Sequence, residues 1–233
     1  MTFDPSASIG KSEILPAFPT YLWKYQLKPE ASALINRRVL AKLDEITGSA
    51  GELRPGSKWQ TDQNLHELPE FEELSAQIRL CTRGVLDYLK IPVGQFLITG
   101  CWANIGAPGS PHGAHSHPNN YLSGVYYVSA PKGADTITFH DPRPQLDIIL
   151  PAPSQLAAEN AGKVILKVEE GTLLIFPSWL QHSVAPNMSQ ERRVSIAFNI
   201  MFAAFAETMS RPQWNPHIGD DVDAETSRYR FPE

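Results

Sequence analysis

Cysteine is nearly absent: the 233 residues hold only Cys81 and Cys101, twenty positions apart and without a CxxC spacing. A chain of this length buries a core without disulfide staples, so the pair fits a reducing, cytoplasmic setting. A surplus of positive charge is also missing. Twenty Lys+Arg stand against twenty-five Asp+Glu, a net charge of -5, and that balance favours neither phosphate backbones nor anionic membranes. No nucleic-acid or membrane partner is therefore expected. Long apolar runs are lacking as well; the most apolar late segment, Val194 to Ala206, is interrupted by Ser195 and Asn199. The opening residues, MTFDPSASIGKSEIL, show neither the basic start nor the apolar stretch of a signal peptide. There is no internal repeat and no disorder-like bias, since 42% hydrophobic and 19% charged residues is a globular composition. A chain of this size forms one domain with a sizeable core.

Two helices are expected, both early. From Pro29 to Ile46 the residues Ala31, Ile35, Val39, Leu43 and Ile46 fall near one face, with Pro29 in the first turn where its missing N–H costs nothing. Pro69 opens a second segment in which Phe71, Leu74, Ile78, Cys81, Val85 and Leu89 step by three or four, until Ile91-Pro92 ends it. After Pro92 the period changes. Runs rich in Val, Ile, Thr, Tyr and Phe, broken by Gly, Pro and Asn, predict strands at Phe96 to Asn104, Tyr121 to Val128, Thr136 to His140, Val164 to Val168, Thr172 to Phe176 and Arg193 to Phe202. The expected fold is mainly β with flanking helices, a sandwich or jelly-roll barrel. Within one domain, residues 1–92 supply helical and strand elements packed on the barrel, 93–205 the barrel itself, and 206–233 a polar tail that wraps the surface or pairs with a neighbour in a homodimer. Pro142, Pro144, Pro151 and Pro153 mark a long ordered loop across the barrel mouth.

Histidine is where chemistry gathers. Four of the seven lie between positions 112 and 140, in GSPHGAHSHPNNYLSGVYYV and FHDPRP, and a fifth, His182, follows in IFPSWLQHSVAPN. In extended backbone, residues two apart project to one side, so His115 and His117 can aim both imidazoles at one point. A third ligand on another strand, His182, would complete a facial set with open positions, as non-haem Fe(II) oxygenases require. The competing reading is a solvated histidine-rich turn. Eleven residues beyond His182 begins Arg193-Val-Ser-Ile-Ala-Phe-Asn-Ile in strict alternation, with Arg193, Ser195, Ala197 and Asn199 on the face that suits a ligand-holding interior. An arginine inside a barrel needs an anion. Either a carboxylate ligand supplies it, with the Ser195 hydroxyl adding a donor, or one of the protein's own acids does, Asp141 or Asp147.

Taken together, HxH, a distant His and an R-x-S strand some ten residues later resemble the double-stranded β-helix of the Fe(II)/2-oxoglutarate oxygenases. The motifs Trp102 to Asn104 (W-x-N), HSHPN, LSGVYYV, FHDPR and FPSWLQH resemble those of the bacterial and phage 2-oxoglutarate-Fe(II)-dependent oxygenases in particular, over roughly residues 14 to 205 and most strongly 102 to 199. The chain is more distantly similar to prolyl hydroxylases and aspartyl/asparaginyl β-hydroxylases. Prolyl hydroxylases carry a carboxylate two residues after the first histidine, where this sequence has His117; the aspartyl/asparaginyl relatives also lack it. His117 is then a direct ligand, or holds a metal-bound water, or gives way to Asp141, for which the alternative is a turn starter paired with Arg143.

The resemblance implies a cupin-like jelly roll that binds Fe(II) at His115, His117 and His182 and takes 2-oxoglutarate as cosubstrate. Arg193 and Ser195 would hold its distal carboxylate. Tyr126, on the face shared with Leu122 and Gly124, would make a further contact with room left by Gly124, and Asn104, beside Trp102, would orient the keto acid; core and turn roles compete for Trp102 and Asn104. His112 and His140 are expected behind the ligands or at the surface, and His66 and His217 have no assigned role. The implied reaction couples decarboxylation of 2-oxoglutarate by dioxygen to hydroxylation of an amino acid, peptide or small metabolite, with Trp59, Trp179 and Tyr121 as candidates to line its path. Two alternatives stand beside this dioxygenase: a cupin-like metal barrel that uses no 2-oxoglutarate, and a noncatalytic interaction domain on the same scaffold.

Overall fold

The computed structural model describes residues 10–48, 53–92, 94–143, 145, 148–149, 151–157 and 159–206. In chain order the elements are β1 (Trp23–Gln26), α1 (Pro29–Thr47), β2 (Lys58–Gln60), α2 (Glu72–Tyr88), β3 (Phe96–Gly106), β4 (His112–His115), β5 (Leu122–Ser129), β6 (Thr136–His140), β7 (Lys163–Lys167), β8 (Thr172–Pro177), β9 (His182–Val184), β10 (Arg193–Phe202) and the single turn α3 (Ala203–Ala206). The helices form for the reasons their spacing suggests. Pro29 opens α1 with Glu30 in its first turn, where an acidic side chain meets the positive end of the helix dipole. A 3-10 turn at Pro69–Phe71 leads into α2. That helix stops where Lys90 adopts φ +57° and the Ile91 N–H turns back to the Leu86 carbonyl, a left-handed cap reinforced by Pro92.

Two antiparallel sheets face one another. The larger has six strands in the order β1-β8-β5-β10-β3-β2, the smaller four in the order β4-β9-β6-β7. Between them Val125, Tyr127, Leu174 and Phe176 of the large sheet pack on Ile137 and Phe139 of the small one. The opposite face of the large sheet is covered by both helices: Ile35, Val39 and Leu43 of α1 and Leu74, Ile78, Val85 and Leu86 of α2 meet Ile105, Tyr126, Leu173, Ile175, Ile196 and Phe198. Each of these fully buried side chains contributes about 1.5–3 kcal/mol of transfer free energy. With both faces of the large sheet covered, its central strands read as continuous apolar runs, and only strand pairing decides which residues look inward.

The expected jelly roll with flanking helices is what forms, and β6 and β10 have the predicted bounds. The short edge strands β1, β2 and β4 and the short interior strand β9 escaped the sequence reading, because three or four residues hold too little periodicity to register. The tail beyond Met209 lies outside the described residues, as do Pro144 and Asp147 of the proline-rich connection.

Candidate metal and anion site

Strand pairing assembles the histidines. His115 ends β4 and is the register partner of His182, which begins β9, and residues directly opposite stand on the same face. His117 lies two residues beyond β4, where its backbone N–H donates to the Ser178 carbonyl at 2.9 Å and its ring packs 5.7 Å from Trp102. One ring nitrogen from each of His115, His117 and His182 falls within 4.8 Å of the others. The Nδ1 of His115 is 2.9 Å from the Gly113 carbonyl and that of His182 is 3.0 Å from the Leu180 carbonyl. A carbonyl only accepts, so both Nδ1 atoms carry the proton and both Nε2 lone pairs are free for a cation.

The donor set suits a metal electrically. Burial pushes His117 down to about 3 and His182 to about 4, with neighbouring imidazoles adding to the effect, and burial lowers His115 too. At neutral pH the three rings are neutral and able to ligate. His112 belongs to the same cluster: its ring stacks on His115 at 4.4 Å, and burial takes it to about 3. His140 instead bonds Ser183 at 2.9 Å. His66 lies in a 3-10 turn at Leu65–Glu67, and His217 is outside the described residues.

The inner face of β10 carries Arg193, Ser195, Ala197 and Asn199, because Val194, Ile196, Phe198 and Ile200 occupy the helix-side core. Arg193 is buried, and its Nη1 has no hydrogen-bond partner. Among the described residues no carboxylate pairs with it. Asp141 is held within its own turn by Arg143, accepting from the backbone N–H, Nε and Nη2 at 2.7–3.0 Å. That turn, not the histidine cluster, occupies the carboxylate. Asn104 and Trp102 share the inner face of β3 as register partners of Ser195 and Ala197, and the Oδ1 of Asn104 is buried without a partner.

Tyr126 is a correction. Its register partner is Ile196, so it sits on the helix side, where its hydroxyl donates to Asn36 Oδ1 of α1 at 2.7 Å. The tyrosine that faces the interior is Tyr127, partner of Ser195, close enough to Arg193 that each affects the other's protonation. Gly124 also serves the helix side: a methyl group there would overlap the Phe198 ring and the Leu174 carbonyl. Two adjacent tyrosines in a strand buried on both faces held little cue to their parity. The parity follows the unbroken β10–β5 ladder from Ser195↔Tyr127 to Ile200↔Leu122. Lys58 and Ser110, also near Arg193, were missed because a lysine on a three-residue strand and a serine in a turn have no signature. Of the proposed path-lining aromatics, Trp59 and Tyr121 pack against the helix-side core, while Trp179 is 55% exposed.

Fold and site thus define a jelly-roll protein with three neutral imidazoles converging beside a buried cation that lacks a counter-ion among the described residues. Residues 100–199 match the family described as "Putative 2OG-Fe(II) oxygenase". Solved structures of similar fold include the non-heme α-ketoglutarate dependent epimerase SnoN from nogalamycin biosynthesis, with 15% identity over 84% of this chain and 88% of that one at a TM-score of 0.57. A Pseudomonas putida prolyl-4-hydroxylase aligns with 14% identity over 78% and 93% at 0.53. HygX from Streptomyces hygroscopicus, with nickel and 2-oxoglutarate bound, aligns with 12% identity over 79% and 83% at 0.55. At these identities the likeness is one of fold. No curated protein matches the chain in sequence. No helix among the described residues is long and apolar enough to cross a membrane.

Proposed function

We propose that this 2-oxoglutarate oxygenase binds Fe(II) through His115, His117 and His182 and hydroxylates a small molecule or a peptide side chain. The observation that carries the reading is the pairing of three ring nitrogens within 4.8 Å with a buried, unpartnered guanidinium atom inside the same barrel. His117 takes the position of the carboxylate in other facial sets, so the ligand set is neutral and leaves the charge of the metal to be balanced by the dianionic cosubstrate. When bound, Fe(II) supplies the redox chemistry by which dioxygen and 2-oxoglutarate yield succinate, carbon dioxide and an oxidised substrate.

The chain's own residues bind, orient and exclude. Arg193 presents paired N–H donors to the distal carboxylate, with the hydroxyls of Ser195 and Tyr127 on the same face. Asn104 orients the keto-acid end from β3. The Gly113 and Leu180 carbonyls hold two of the rings in the tautomer that ligates. Trp102 walls the centre beside His117 and limits water there. Two buried free thiols, Cys81 and Cys101, suit work in the reducing cytoplasm.

Anaerobic Fe(II) titration with and without 2-oxoglutarate tests the reading, followed by a succinate assay in air. A weak visible absorption band that appears only with both components, and succinate formed on oxygenation, are the expected results. Iron binding with a spectrum indifferent to 2-oxoglutarate would favour a metal barrel that uses no such cosubstrate, and failure to retain any divalent metal would point to a noncatalytic scaffold.

A further inference from the structure

Arg193 has company at its end of the barrel. Lys58, Gly106 and Arg193 are register partners in one row across β2, β3 and β10, so both cationic side chains rise from the same face with a glycine between them. Neither is paired with a carboxylate among the described residues. At Gly106, the place where a side chain would begin lies 2.5 Å from Ser110 Oγ and 3.5 Å from Arg193 Nη2. The serine hydroxyl and the guanidinium therefore lie side by side against the glycine, the hydroxyl in the space that a side chain at 106 would need. Ser110 is fully buried, and its Oγ, like Arg193 Nη1, has no partner among the described residues. Orphaned buried donors cost stability, and two of them side by side against one glycine mark a place for an acceptor.

The position of Ser110 is built. Its N–H donates to Ala107 at 3.0 Å, and Gly109 at φ +82° sends its N–H to the Asn187 carbonyl at 2.6 Å. Asn187, itself buried, returns a backbone N–H to the Ser110 carbonyl at 3.1 Å. Its Nδ2 donates to Gly106 at 3.3 Å and to Glu191 at 2.7 Å. One buried asparagine thus ties the serine-bearing turn to the end of β3 and to the segment entering β10. Burial and the nearby guanidinium both disfavour the charge of Lys58, as expected of a cation that lacks its anion.

We infer that the distal carboxylate of the 2-oxo acid is received beside Gly106, between Arg193 and Lys58, with the Ser110 hydroxyl donating to it. Ser110 and Lys58 are then specificity-determining residues that select a diacid over a 2-oxo monoacid. The inference rests on the cosubstrate reading above and adds to it two residues outside the R-x-S strand. Arg193 supplies the charge-matched pair, Ser110 adds a neutral donor from the turn, and Lys58 closes the outer side. Gly106 must stay a glycine because any side chain would collide with the Ser110 hydroxyl and displace it.

The test compares two ligands on the Fe(II)-loaded protein without oxygen, by calorimetry and by the chelate absorption band: 2-oxoglutarate, and 2-oxobutyrate, which keeps the keto-acid end but has no distal carboxylate. Ser110→Ala should weaken 2-oxoglutarate about tenfold and leave 2-oxobutyrate within about twofold, a limit set by the loss of one donor rather than of the site. Lys58→Met should weaken only 2-oxoglutarate, by about threefold, an effect that shrinks in high salt and is restored by Lys58→Arg. Lys58 is a half-exposed strand residue, so its variants keep the fold even where Ser110→Ala does not. Unchanged 2-oxoglutarate affinity in both variants, or equal losses for both ligands, would overturn the inference while leaving the oxygenase reading intact. Wild-type protein that takes iron but neither ligand would overturn both.

Discussion

Replacing Arg193 by methionine should move two properties in opposite directions. Arg193 is buried, its Nη1 is unpartnered, and burial already works against its charge, countered only by Tyr127. In the ligand-free protein an isolated buried cation is a liability, and exchanging such a group for an apolar side chain of similar length stabilises by about 1–4 kcal/mol. For a domain of this size, about 1 kcal/mol raises Tm by roughly 2–4 °C, so the metal-free variant should melt several degrees higher. Binding should suffer. Two parallel charge-assisted hydrogen bonds to a carboxylate, at about 1.5–3 kcal/mol each, amount to a loss of at least two factors of ten in 2-oxoglutarate affinity, with iron affinity retained. Thermal melts of the metal-free protein and anaerobic titration of the Fe(II) form read the two effects separately. A variant that melts several degrees lower would mean that the guanidinium completes an internal ion pair, and undiminished 2-oxoglutarate affinity would remove it from the anion site; either result refutes the reasoning.

Acid should destabilise the metal-free protein through its imidazoles. His112 and His117 lie near 3 and His182 near 4, against about 6.5 in the unfolded chain. As pH falls the unfolded state takes protons first, so the stability they confer is whole above about 6.5 and drains away toward about 3. Tm should drop between pH 7.5 and pH 5, and less in His112→Leu; a wild-type Tm flat across that range would show that the rings are not buried together. Tyr126→Phe should cost about 1–2 kcal/mol by orphaning Asn36 Oδ1 and leave 2-oxoglutarate binding alone, which denaturant melts and the titration above can check. Gly124→Ala should destabilise by about 1–3 kcal/mol or more, because its methyl meets the Phe198 ring and the Leu174 carbonyl; a soluble variant with an unchanged unfolding midpoint would contradict the packing.

Much of this protein could be read before it was folded. The three-to-four-residue spacing of Leu74, Ile78, Cys81 and Val85 requires a helix with one buried face, and the alternation from Arg193 to Ile200 requires a strand with two unlike faces. His115 and His117 announced themselves through composition, since apolar and turn positions rarely carry imidazole in such density, and the missing partner of Arg193 follows from the cost of burying a guanidinium. Parity in β5 could not be read. LSGVYYVS is buried on nearly its whole length, and Ser123 and Ser129, which share the parity of Tyr127, are too slight a polar contrast to say which tyrosine looks inward.

What tertiary structure alone decided is which residues meet across the sheets. Periodicity is local, set by a residue's own backbone and its neighbours within a turn or two, whereas register joins segments tens of residues apart, and a slip of one position exchanges the two faces of a strand. The unbroken pairing of Ser195 to Ile200 with Tyr127 to Leu122 makes that choice for β5, sending Tyr127 to the barrel interior and Tyr126 to the helices. Pairing of β2 with β3 and β10 likewise puts Lys58 in the row of Arg193, although 135 positions of chain separate them and no short-range pattern could relate one to the other.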